Sequence, residues 1–331
     1  MSAKVWLLAI TIVAVFLVTM EAVWRSVGFQ PFLPAADEEA WALNLMRAHG
    51  DATVILGTSR AQAAIDPQAW SEVFQGRPPL QLTLWGTEAL PVLEHLAKSN
   101  DFRGLVIMGI TPHAEFGASP AQELDATYAE TYRNLSSRPA RRTEVSLRNH
   151  FSFLVYRQPV LAPSRILTGI LRALRTGDPT WLVPERPYWN RRPDRFLELD
   201  FSRADVPHRV ETIAKTVRDE GGAATDNEVD EILMRMERAT REIQSRGGDV
   251  VFVHLPHSLS IKELEDQLYP RARYWDRLAA KFKGGTIHFE DHETLRGYSC
   301  PDGSHLDMRD AAPFTRALAE IVGRLPGRTN P

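Results

Sequence analysis

Two short motifs, one near each end of the chain, carry the residue types of covalent acyl chemistry. The first is Val54-Ile55-Leu56-Gly57-Thr58-Ser59-Arg60, an apolar run that ends on a serine. The second is Asp302-Gly303-Ser304-His305. Ser59 offers a hydroxyl nucleophile, His305 a general base and acid, and Asp302 a carboxylate to orient the imidazole. Ligands gather at the C-terminal ends of strands in open α/β sheets, and Ser59 stands where such a strand should end. Backbone N–H groups at the following helical turn would stabilise an oxyanion. Taken singly, each motif has a plain structural reading. Ser59 could simply cap the next helix, and Asp302-Gly303 could be a surface turn. Their order, at opposite ends of an α/β pattern, favours the chemical reading.

The elements that must position these groups follow from hydropathy. Residues 51–56, 80–85, 104–110, 249–255 and 285–289 are apolar runs of the kind that form parallel strands covered on both faces. Residues 88–99 read as a helix. Thr225-Asp226-Asn227-Glu228 is a capping box that opens a helix ended by Gly247-Gly248. Residues 264–282 are helical in pattern but must break or kink at Pro270. Residues 310–325 read as a last amphipathic helix. The fold class expected is α/β, a doubly wound (flavodoxin-like) parallel sheet of about five strands. The α/β domain is expected over 51–325, with a mainly helical insertion at about 115–220 and a short tail at 326–331.

Within that insertion, residues 133–195 are rich in arginine and poor in acids. Residues 164–175 within it form a basic amphipathic pattern, suited to a membrane surface or an anionic chain. The plainer reading packs its apolar face on the domain and leaves its arginines in water.

The N-terminus suggests a membrane. Lys4 precedes an uncharged run, Val5 to Met20, and Glu21, Trp24 and Arg25 follow. Extending the run through Ala22, Val23 and Trp24 brings it near the roughly 20 residues of a spanning helix. A cleaved signal peptide is the rival, but Met20 and Glu21 before Ala22 make a poor cleavage site. The expectation is therefore an anchor over 1–24, a stem over 25–50, and a single-pass protein of the cytoplasmic membrane. Its domain would face the extracytoplasmic side.

Bulk properties narrow the partners. A formal net charge of -3 over 331 residues argues against a general nucleic-acid binder. A single cysteine, Cys300, excludes an intramolecular disulfide. No Cys/His spacing resembles a zinc site, so no metal or cofactor is expected.

Gly57-Thr58-Ser59 and Asp302-x-x-His305 resemble the first and last blocks of the SGNH (GDSL-like) hydrolases. Within that superfamily the chain is most similar to the membrane-anchored envelope branch, which includes the D-alanyl-transfer protein DltD and polysaccharide O-acetyltransferase relatives. The resemblance spans roughly 50–120 and 225–325 and implies ester chemistry on a serine. It makes Gly86, in Leu84-Trp85-Gly86-Thr87, an oxyanion-hole donor beside the N–H of Ser59. It also exposes a departure. Gly109-Ile110-Thr111-Pro112 stands where the family carries Gly-x-Asn, so Thr111 is left as the weaker donor. Loss of one such donor costs about 10²–10³ in rate, compatible with a slow or partner-assisted transferase.

The implied partners are a cell-envelope glycan or acylated polymer, membrane lipid through the N-terminal helix, and a membrane acyltransferase. Arg60 could hold an anionic substrate group or form a structural ion pair. His257, after the fourth strand, is a candidate substrate-facing residue, and Asp291 a rival to Asp302. The alternative to an enzyme is an envelope scaffold with a vestigial triad, whose arginine-rich cap binds an anionic polymer or a membrane partner.

Overall fold

Five short apolar runs pair side by side, all in parallel, into one sheet of order β2-β1-β3-β6-β7. The strands are β1 (Val54–Leu56), β2 (Leu80–Gln81), β3 (Leu105–Ile110), β6 (Asp249–His254) and β7 (Thr286–His288). Counted within the sheet alone this is 2-1-3-4-5, the doubly wound order that reverses between its first and third strands. A separate antiparallel hairpin, β4 (Trp189–Arg191) and β5 (Leu197–Leu199), lies in the insertion. The computed structural model describes residues 3–26, 37–117, 123–151, 188–219 and 222–326, and residues 171, 174, 175 and 177.

The first helices in chain order are α1 (Ala3–Ser26), α2 (Asp37–Arg47), α3 (Ser59–Ala64), α4 (Pro67–Phe74), α5 (Leu90–Lys98) and α6 (Pro112–Glu115). The insertion adds α7 (Ala126–Ser137), α8 (Pro139–His150) and α9 (Val206–Asp219). The rest are α10 (Asp226–Ser245), α11 (Leu259–Leu268), α12 (Trp275–Lys281), α13 (Glu293–Arg296) and α14 (Met308–Gly323). The capping box at Thr225 and Glu228 forms as its spacing predicts. Pro270 falls between α11 and α12, where the helical pattern is broken in two.

Strand side chains alternate between two cores, which is why the runs are apolar without interruption. Val54, Leu56, Val106, Met108, Val250 and Phe252 enter one core. Ile55, Ile107, Val251, Val253 and Ile287 enter the other. Each such side chain, fully buried, contributes about 1.5–3 kcal/mol.

β2 is shorter than its apolar run. The carbonyls of Gln81, Leu82 and Thr83 accept from side chains: Asn44 and Arg195 at Gln81, Trp41 at Leu82, and Arg195 at Thr83. Side chains thus close an edge that would otherwise template another strand. Trp41 is fully buried, so α2 belongs to the domain and the stem expected over 25–50 is corrected from Asp37 onward.

α1 forms as one helix of 24 residues, with Leu7 and Val18 69% and 70% exposed. Among the described residues no helix is long and apolar enough to cross a membrane. The uncharged run of α1, Val5 to Met20, would reach only about 24 Å at 1.5 Å per residue, against a hydrocarbon core of about 30 Å.

Several described arginines of the insertion pair with acids of the domain. Arg141 and Arg148 reach Glu39, Arg191 and Arg195 reach Asp37, and Arg192 reaches Asp66. These pairs dock the insertion on the sheet edge and leave that much less charge for an anionic polymer. The basic amphipathic pattern at 164–175 lies outside the described residues, apart from 171, 174 and 175.

Glu115, buried at the end of α6, accepts the Ala89 N–H on Oε1. Burial pushes its carboxyl up to about 8, from an ordinary 4.5. A raised carboxyl favours folding most below the unfolded value, and that advantage is lost as pH rises toward the folded one. Stability is therefore expected to fall between about pH 4.5 and about 8, with a slope of up to about 1.4 kcal/mol per pH unit. Glu115→Gln keeps the acceptor for Ala89 and should flatten that slope. Urea unfolding of both proteins at several pH values checks it, and parallel curves would refute it.

Candidate active site

The first turn of the site is set by Gly57, which ends β1 at φ +129. A Cβ there would stand 2.8 Å from both the Ala61 Cβ and the Gly109 carbonyl oxygen, so only glycine lets β1 bend into α3 this close to β3. Thr58, not Ser59, caps α3: its hydroxyl accepts from the Arg60 N–H at 3.3 Å. Ser59 is the first helical residue, and its side chain is free to turn toward the C-terminal motif.

There the two ends of the chain meet. Ser59 Oγ lies 2.9 Å from His305 Nε2, and His305 Nδ1 lies 3.0 Å from Asp302 Oδ2. Asp302 is fully buried. Its Oδ1 accepts from the Ser304 and His305 amides at 3.0 and 2.8 Å, while Arg209 donates to Oδ2 at 3.1 Å. The turn that brings the carboxylate under its own histidine runs through Gly303 at φ +81. Burial alone would raise the Asp302 carboxyl. His305 and the two amides outweigh it and hold the group well below the usual carboxylate range. A dry, fixed anion beside Nδ1 keeps that nitrogen protonated and leaves Nε2 to take the serine proton.

Arg60 resolves its two sequence readings toward the ion pair. It is buried, and its guanidinium forks onto Glu265 at 2.8 and 2.7 Å. Its Nε donates to Ser304 Oγ at 2.8 Å. His113 Nδ1 lies 2.7 Å from the same Glu265. Burial pushes the Glu265 carboxyl up, but the Arg60 charge and the His113 and Arg60 hydrogen bonds hold it far below the ordinary range. One buried cluster therefore ties the nucleophile helix α3, the His305 loop and α11 together. The anion-anchor reading of Arg60 is corrected, because its charge is already spent on Glu265.

A cleft of about 250 Å³ opens over the triad. Ser59, Gly86, Thr111, His113 and His305 line it from the sheet side. Trp85, Tyr188, Trp189, and Arg209 and Thr212 of α9 line it from the insertion side and the rim. As the first residue of α3, Ser59 has an N–H with no intrahelical acceptor. Gly86, at φ +58 in the turn after β2, borders the same cleft. The Thr111 hydroxyl is engaged with that of Thr58 at 2.8 Å. No protein-family model and no curated protein matches the sequence. The chemistry of the site therefore rests on its own geometry.

His257 does not join the cleft. It is buried and faces Glu265 and Asp266 at 3.9 and 3.8 Å, lining a separate small cavity with His254 and His288. The substrate-facing expectation for His257 is corrected on that ground. Burial, with the neighbouring charges, holds His254, His257 and His288 toward their neutral forms. Among the described residues no group of three or more His, Cys, Asp or Glu could hold a metal ion. Asp291 is paired with Arg271 at 2.6 Å, which removes it as a rival orienter. Cys300 is buried, and burial pushes its thiol up, away from reactivity.

Sequence reasoning missed Glu265, His113, Arg209 and the aromatic rim. Glu265 and His113 carry no local signature, since their partner lies across the fold. Arg209 lies beyond the arginine-dense stretch that ends at Arg195, with nothing in its neighbours to single it out.

Proposed function

We propose that this chain is an SGNH-like serine esterase or O-acyl(acetyl)transferase acting on a cell-envelope glycan or lipid-linked polymer. The observation that carries the reading is the unbroken hydrogen-bonded relay from Ser59 through His305 to Asp302. In the first half-reaction Ser59 Oγ attacks the ester carbonyl carbon while its proton passes to His305 Nε2. The oxyanion that forms is held by the N–H groups of Ser59 and Gly86. Collapse breaks the ester bond, and the departing alkoxide takes the proton back from Nε2. In the second half, water or an acceptor hydroxyl loses its proton to His305 and attacks the acyl-serine; collapse breaks the bond between the acyl carbon and Ser59 Oγ, which takes the proton back from Nε2.

In this reading α1 attaches the enzyme to the cytoplasmic membrane, and the α/β domain works on the extracytoplasmic side. The exposed apolar side chains of α1 support its attachment to a membrane. In the transferase form of this reading, a membrane acyltransferase partner supplies the acyl group.

The test is a fluorophosphonate probe applied to the full chain in detergent micelles, beside Ser59→Ala. The wild type should label and slowly turn over an aryl acetate, and the variant should do neither. Equal labelling of both, or of neither, would favour the non-catalytic scaffold.

A further inference from the structure

Trp85 is a side chain that folding ordinarily buries, yet it is 44% exposed. It stands on the rim of the Ser59 cleft, next to Gly86. Its exposure is not looseness. The indole N–H donates to Gln62 Oε1. Gln62 is fully buried on α3, the helix that begins with Ser59, and its own amide donates to the Arg195 carbonyl at 2.8 Å. The Arg191 guanidinium lies 4.6 Å from the ring centre, and Trp189 meets the ring at 70° with centroids 6.0 Å apart. The ring is thus gripped at its N–H edge and by two neighbours, and it lines the cleft.

A fixed, open aromatic face has its own selectivity. Its electron-rich centre attracts weakly positive C–H groups and sheds water easily. A pyranose ring presents several C–H groups on one face and hydroxyls around its rim. The cleft offers hydroxyl partners for such a rim in Thr212 and Thr216 of α9. An acyl chain would call for a continuous apolar trough instead. Leu197 and Leu199 border the cleft but are 2% and 3% exposed, so apart from Ile213 its accessible apolar surface is aromatic, Trp85 beside the half-buried Tyr188 and Trp189.

We infer that Trp85 is a stacking platform for a sugar ring of a glycan chain, which delivers a ring hydroxyl or its ester to Ser59. The inference deepens the proposed function by naming what docks at that site, and it takes from that reading only the reaction that follows docking.

Binding can be tested without turnover. The full chain carrying Ser59→Ala, in detergent micelles, is titrated calorimetrically with cellohexaose, with chitohexaose and with octanoate. A hexasaccharide should bind, and adding Trp85→Ala should weaken it by about tenfold or more, as loss of an aromatic anchor does. Trp85→Phe keeps a flat ring and should hold the affinity within about threefold. Thermal unfolding checks that each variant is folded. Failure of both hexasaccharides to bind, or binding indifferent to Trp85→Ala in a folded protein, overturns the inference. So does octanoate binding that depends on Trp85 in their place. A failed fluorophosphonate test beside intact Trp85-dependent binding would remove the enzyme and keep the sugar site, so the two failures are distinguishable.

Discussion

Asp302→Asn is expected to lower turnover of an aryl acetate by about 10³–10⁴-fold while the protein stays folded. The Asn side chain can still accept the Ser304 and His305 amides at its oxygen, so the turn survives. What changes is the atom facing His305 Nδ1. An amide NH₂ there can only donate, which forces the imidazole proton onto Nε2 and turns the base into a donor toward Ser59. The Arg209 contact is lost at the same position. Steady-state kinetics and fluorophosphonate labelling rates should fall together, since both need the serine proton removed. A loss below about tenfold would mean that His305 does not depend on Asp302 for its tautomer, and the triad would not be the working unit.

The second large effect concerns stability. Arg60→Ala is expected to cost about 3–5 kcal/mol, because it leaves the buried Glu265 carboxylate without its main partner. Both side chains are almost wholly inaccessible, 2% and 1% exposed, so water cannot take over. In the wild type the Glu265 carboxyl is depressed, so its contribution is present above the ordinary carboxylate range and is lost as pH falls. Without Arg60, burial dominates, and the dependence on this group should change sign: stability then falls as pH rises. Urea unfolding at low and neutral pH reads both effects. The double variant Arg60→Met, Glu265→Leu should recover much of the loss, since an apolar pair needs no desolvation. A cost within about 0.5 kcal/mol, as for a surface substitution, would sink the argument. Activity should fall as well, because Arg60 Nε holds Ser304, the neighbour of His305.

The parts of this protein legible in its sequence are those that depend on neighbours along the chain. Uninterrupted apolar runs announce strands buried on both faces, and their alternation into two cores follows from the two-residue period of a strand. The capping box at Thr225, the break at Pro270 and the local Asp302–His305 contact are short-range events, fixed by residue type and spacing. Ser59 at a strand's end and His305 before the last helix were legible for the same reason. Gly57 was legible as a turn, though its approach to Ala61 and Gly109 was not.

Only the tertiary structure could decide which charges meet across the fold. Arg60 reads equally as a ligand anchor or a structural cation until Glu265 is seen against it. His257 looked substrate-facing because it follows a strand, but α11 packs over it and turns it toward Glu265 and Asp266. The acids Asp37, Glu39 and Asp66 absorb an arginine cluster that, in one dimension, looks unpaired. Trp85 reads as one more apolar residue at the end of a strand, and only the arrival of Gln62, Arg191 and Trp189 makes it an exposed, fixed ring. The physical reason is common to all four. Hydropathy and capping act over a few residues, and their periods survive in the sequence, whereas a buried charge or a held ring is stabilised by partners brought near by folding.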